Sequence, residues 1–90
     1  MKFKCIGGPY GDCTSSYKVT DYPTTVGELL EYILQHKKDE WGYIYIGNRN
    51  KVAEYRYGTI VKPLSDEYKD IRISSLHANG GWTAMDYIVN

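Results

Sequence analysis

Thr25-Val26-Gly27-Glu28-Leu29-Leu30-Glu31-Tyr32-Ile33-Leu34 is the stretch whose reading decides the fold. Val26, Leu29, Leu30, Ile33 and Leu34 recur at i, i+3, i+4, i+7 and i+8, one stripe of a helix, with Glu28, Glu31, Gln35 and Lys38 outside it. Thr25 can cap the first turn, and Glu28, three residues on, can reach back to close a capping box. Pro23 keeps the chain extended before that point. Glu28 and Glu31 sit near the positive end of the helix dipole, and Lys37 and Lys38 near the negative end. The pattern predicts a single amphipathic helix over roughly residues 25 to 41, with Gly42 as a left-handed stop and Trp41 closing the end of its contact. Burying its aliphatic side chains is worth about 1.5–3 kcal/mol each, which ordering the segment offsets, so the helix needs a sheet beneath it.

Outward from the helix, everything else alternates or turns. Phe3-Lys4-Cys5-Ile6 and Tyr17-Lys18-Val19-Thr20 read as strands around the turn-rich stretch that begins Gly7-Gly8-Pro9-Tyr10-Gly11-Asp12. Tyr43-Ile44-Tyr45-Ile46 and Val52-Ala53-Glu54-Tyr55-Arg56-Tyr57 form a hairpin through Gly47-Asn48-Arg49-Asn50, and Thr59-Ile60-Val61-Lys62 adds a short strand before Pro63. Residues 71 to 78 and 82 to 89 read as a last hairpin. A Gly80-Gly81 turn would set Leu76 against Met85 and Ile73 against Ile88, pairing apolar with apolar. The expected fold is α+β: one amphipathic helix packed on one face of a mainly antiparallel sheet of about five to seven strands.

Thr25-Val26-Gly27-Glu28-Leu29-Leu30 resembles the helix start of small ubiquitin-like and sulfur-carrier proteins, and the order hairpin, helix, further strands is β-grasp-like. The similarity covers about the first forty residues and implies a fold alone. Those carriers work through a terminal Gly-Gly, whereas this chain ends Tyr87-Ile88-Val89-Asn90 and keeps Gly80-Gly81 internal.

Ninety residues are expected to form one domain, 1–90, since a chain this short buries only about 60–65% of its unfolded surface. Basic and acidic residues balance at 11 each, and neither sign forms a long block. That removes the usual electrostatic reason to expect duplex nucleic acid or an anionic membrane as a partner. The N-terminal residues lack the apolar run of a secretory signal and no stretch has transmembrane length, so the expectation is a cytoplasmic protein.

The chemical motifs are weak. Residues 7–16 are glycine-rich but lack the Gly-Lys-Ser/Thr ending of a phosphate loop, and a strand rather than a helix follows. Cys5 and Cys13 could approach across the first hairpin. In a cytoplasmic protein two ordinary half-buried cysteines are expected rather than a disulfide, and a metal site with His36 and His77 would need four distant positions to converge. Cys5 or Cys13 with His77 and Asp86 can be drawn as a catalytic triad, as can many such sets in a chain with these residues. The sequence therefore carries no expectation of an enzyme, a cofactor or a metal.

Ten tyrosines against one phenylalanine form the more informative pattern. If Ile46 faces Val52, then Tyr43, Tyr45, Tyr55 and Tyr57 share one sheet face, and Ile44, Ile46 and Val52 share the inner one. Trp82, after two glycines, is a further candidate anchor. These five residues are the expected binding site of a protein-interaction module that meets a protein partner or itself. The alternative is a small-ligand, glycan or single-strand nucleic-acid binder that stacks on the same rings. Against exposure of the rings stands a second core layer, with residues 58 to 70 folded over them, or a one-residue slip that turns Tyr55 and Tyr57 inward.

Overall fold

The apolar stripe forms helix α1 (Val26–His36), which begins at the predicted cap. Thr25 Oγ1 accepts the Glu28 N–H at 3.3 Å, and the Glu28 carboxylate accepts the Thr24 N–H at 3.4 Å, one residue before the expected donor. Val26, Leu29, Leu30 and Ile33 are buried. The helix stops at His36, earlier than expected: Lys37 still donates to the Ile33 carbonyl but its own backbone leaves helical geometry (φ −123°, ψ 48°), and the apolar stripe ceases at Leu34. Trp41 and Gly42 belong instead to the next strand.

The structure is a computed structural model that describes residues 1–7, 16–47, 49–81 and 83–90. The strands are β1 (Lys2–Gly7), β2 (Ser16–Thr20), β3 (Trp41–Ile46), β4 (Asn50–Arg56), β5 (Thr59–Lys62), β6 (Leu76–Gly81) and β7 (Ala84–Val89). They form one sheet in the order β1-β2-β6-β7-β3-β4-β5, antiparallel except for the β3–β7 pair. The C-terminal hairpin thus lies between the N-terminal hairpin and the central one. A one-turn helix, α2 (Asp66–Lys69), adds to α1 and went unpredicted. Its signal is Ser65 ahead of Asp66 and Glu67, acids where the dipole favours them.

Residues paired across strands share a face. On the inner face Val19, Leu76, Tyr87, Ile44 and Tyr55 join the helix stripe in a single buried cluster. Leu64 completes it from the segment after β5, and the Gly27 backbone lies against Lys69 of α2. Residues 63–69 therefore fold over the helix side of the sheet, not over its other face.

Two registers differ from expectation. In the last hairpin Leu76 pairs with Val89, not Met85, and Gly81 pairs with Ala84. The slip is an even number of residues, so every side chain keeps its face, and alternation cannot tell the two registers apart. Residues 71–75 precede the strand and contribute an isolated bridge, Thr25 to Arg72. In the central hairpin Ile46 pairs with Asn50 and Tyr45 with Lys51, and then a bulge at Val52 shifts the register so that Ile44 meets Ala53. Val52 and Ala53 are both buried, and beyond them the alternation is reversed.

Candidate functional site

The reversal divides the predicted tyrosine patch. Tyr43 and Tyr45 lie on the open face, as expected. Tyr55 is turned inward, 1% exposed, opposite Gly42, and its hydroxyl donates to the Met85 carbonyl at 2.6 Å. A Cβ at Gly42 would overlap that same carbonyl oxygen, so only glycine lets β3 approach β7 here. Tyr57 has left the sheet: with Gly58 it makes a two-residue turn, φ 50° and 78°, and it is 56% exposed. Trp82 lies outside the described residues, as do Cys13 and the glycine-rich stretch 8–15.

The open face can be followed in rows across the sheet. One row runs Lys4, Lys18, His77, Ile88, Tyr45, Lys51 over six successive strands. Beside it, Asn79 pairs with Asp86, and Tyr43 with Glu54 and then Lys62. A third row places Ala84, Trp41, Arg56 and Thr59 together. None of these residues is buried. Trp41, 37% exposed, therefore extends Tyr43 and Tyr45 into a line of rings along β3. Sequence reasoning missed it because it assigned Trp41 to the helix end.

The rings lie among cations. Lys51 Nζ sits 3.8 Å from the Tyr43 ring centroid, and the Tyr43 and Tyr45 centroids are 6.1 Å apart. Lys62 Nζ donates to the Lys51 carbonyl at 2.9 Å. Burial raises the Asp86 carboxyl above the ordinary carboxylate range, while the Tyr43 N–H that it accepts at 3.1 Å and the Lys51 cation pull the other way.

Among the described residues the members of the drawn triad do not converge. Cys5 is disulfide-bonded, contrary to the expected thiol, and so offers no thiolate. It also pairs with Tyr17 on the inner face, whereas His77 and Asp86 are on the outer one. His36 stacks on Tyr32 with ring centroids 4.5 Å apart. Among the described residues no three His, Cys, Asp or Glu side chains are placed to share a metal ion. A cleft of about 400 Å³ at the ends of β2 and β6 includes Ser74 and Ser75 in its lining, but the Ser74 hydroxyl is spent on the Asn90 carbonyl. No described helix is long and apolar enough to cross a membrane.

Compared with protein-family models, curated proteins and solved structures, the chain matches none.

Proposed function

We propose that this chain is a non-enzymatic binding module whose working surface is the open face of the sheet, centred on Trp41, Tyr43 and Tyr45. The observation that carries it is asymmetry: the inner face is filled by α1 and Leu64, while the outer face presents aromatic rings, exposed at Trp41 and half-buried at Tyr43 and Tyr45, over which no described helix packs. Rings on neighbouring positions of one strand supply large contact area at little entropic cost. A photo-crosslinking residue at Tyr45, compared with one at Glu31 on the helix side, tests it in extract of the native host. Adducts from position 45 alone are expected, and adducts from position 31 alone would sink it.

Self-association is a second reading, favoured by the edge strand β5. All its residues are exposed, including Ile60 at 46% and Val61 at 51%, and its outer backbone groups are open to another strand. Sedimentation over a range of concentrations, with Val61→Lys as the blocked edge, tests this separately. The β-grasp-like element of the proposal is confined to the N-terminal hairpin and α1. A cytoplasmic setting is likewise a proposal, which the disulfide at Cys5 makes testable by trapping thiols in the host cell.

A further inference from the structure

The chain is neutral, but its charges are sorted between the two sides of the sheet. The open face carries Lys4, Lys18, Lys51, Arg56 and Lys62 against two carboxylates, Glu54 and Asp86. Lys2 shares that face and is offset by Asp21 at 3.5 Å. The other side carries Glu28 and Glu31 on α1 and Asp66 and Glu67 on α2, with Lys69 paired to Asp66 at 2.9 Å and Lys37 at the end of α1. A balanced total therefore hides a basic surface, and the line of aromatic rings lies within it.

Building on the binding-module reading, the geometry points to a single-stranded nucleic acid as the ligand of this face. Three features meet there. Trp41, Tyr43 and Tyr45 recur at every second residue of β3, about 6.6 Å apart along the strand, so successive unpaired bases can each find a ring. Cations flank the rings on one side, Lys51 and Arg56 on β4; on the other side β7 places Ala84, Asp86 and Ile88, and the next cations, Lys18 and Lys4, lie three and four strands away. The row from Lys4 to Lys51 spans five inter-strand steps, about 24 Å. Tyr45 is the ring in that row, and Trp41 and Tyr43 continue from it along β3, so the two directions cross at Tyr45; either length suits only a few nucleotides.

A duplex satisfies the phosphate requirement but hides the faces of its bases, so it leaves the rings unused. An acidic peptide satisfies the cations but has no planar groups at this spacing. The Lys51 ammonium already lies against the Tyr43 ring, so a base stacked on Tyr45 or Trp41 brings its phosphate to a cation in position. Glu54, opposite Tyr43, and Asp86 are half-buried, and the Asp86 carboxylate accepts the Tyr43 N–H, whereas Lys4, Lys18, Lys51 and Lys62 are exposed.

The test is fluorescence anisotropy with labelled twelve-residue oligothymidylate and oligouridylate, a duplex of equal length, and polyglutamate as competitor. Binding of the single strands with a Kd on the order of 1–100 µM is expected, weaker by roughly 50-fold between about 50 and 200 mM salt for four neutralised phosphates. Trp41→Ala and Tyr45→Ala should each weaken it between about 5- and 100-fold. Lys18→Glu, at an exposed position outside the buried core, should weaken it and flatten the salt dependence. Tryptophan quenching on titration should disappear in Trp41→Phe. No binding, equal binding of the duplex, full competition by polyglutamate, or indifference to both ring substitutions would each overturn the assignment. Oligonucleotides that fail while position 45 still crosslinks a host protein would overturn the ligand and leave the binding module standing.

Discussion

The hydroxyl of Tyr55 donates to the carbonyl of Met85 at 2.6 Å, tying β4 to β7 beneath β3, the strand that lies between them in the sheet. The bond exists because the bulge at Val52 turns Tyr55 inward and because Gly42, opposite it, lets the Met85 carbonyl lie close against β3. Tyr55→Phe keeps the ring and removes the donor. It is expected to lower stability by about 1–2 kcal/mol in urea denaturation; a variant as stable as the parent would show that the bond contributes nothing net.

Gly42 and Gly47 should respond differently to alanine. A methyl group at Gly42 overlaps the Met85 carbonyl, in a stretch where β3 and β7 must shift together. Gly42→Ala is expected to cost about 3 kcal/mol or more, enough to unfold much of a marginally stable domain. Gly47 has open space around its Cβ position and pays only for its φ of 72°, so Gly47→Ala should cost about 1 kcal/mol. Thermal melts of the two variants side by side decide between them; similar losses would contradict the close approach at Gly42.

Glu40 introduces a pH dependence whose sign can be assigned. Burial raises its carboxyl above the ordinary value, while Lys37, at 3.9 Å, and the Tyr87 hydroxyl, which donates to it at 3.2 Å, only partly oppose this. The folded protein holds this proton more tightly than the unfolded chain. The stabilisation from Glu40 is therefore full below the ordinary carboxylate range and is lost as pH rises through the raised value. Glu40→Gln keeps an acceptor for Tyr87 and removes the loss. Relative to the parent it should gain stability as pH rises from the ordinary carboxylate range through the raised value, a small gain because the group is partly solvated. A difference in urea midpoint that is constant across this range would refute it.

Reduction should matter as well. The disulfide at Cys5 lies on edge strand β1, held in the sheet by β2 alone. Treatment with a thiol reductant is expected to lower stability by about 2–4 kcal/mol. Denaturation with and without reductant, paired with a count of free thiols, checks it; an unchanged midpoint with both thiols released would remove any stabilising role.

The helix was legible before any coordinates because capping and a 3.6-residue stripe are local signals: Thr25, Glu28 and five aliphatic residues place its start and its buried face. Alternation, also a local signal, located β1 to β5 and β7 to within a few residues but set β6 at residues 71–78 instead of Leu76–Gly81. Pairing was not legible. An even slip between β6 and β7 leaves alternation intact, and a bulge at Val52 has no local signature, so the inward turn of Tyr55 and the outward place of Trp41 followed only from the assembled sheet.

By itself the amino-acid sequence determined a neutral α+β chain with the apolar stripe of α1 and an excess of tyrosine. Tertiary structure decided which rings face outward and how charge is divided. Net charge is a sum over residues, whereas the surface potential depends on which side of the sheet each residue occupies. Only strand order and register bring Lys4, Lys18, Tyr45 and Lys51 into one row while Glu28, Glu31, Asp66 and Glu67 lie on the other side.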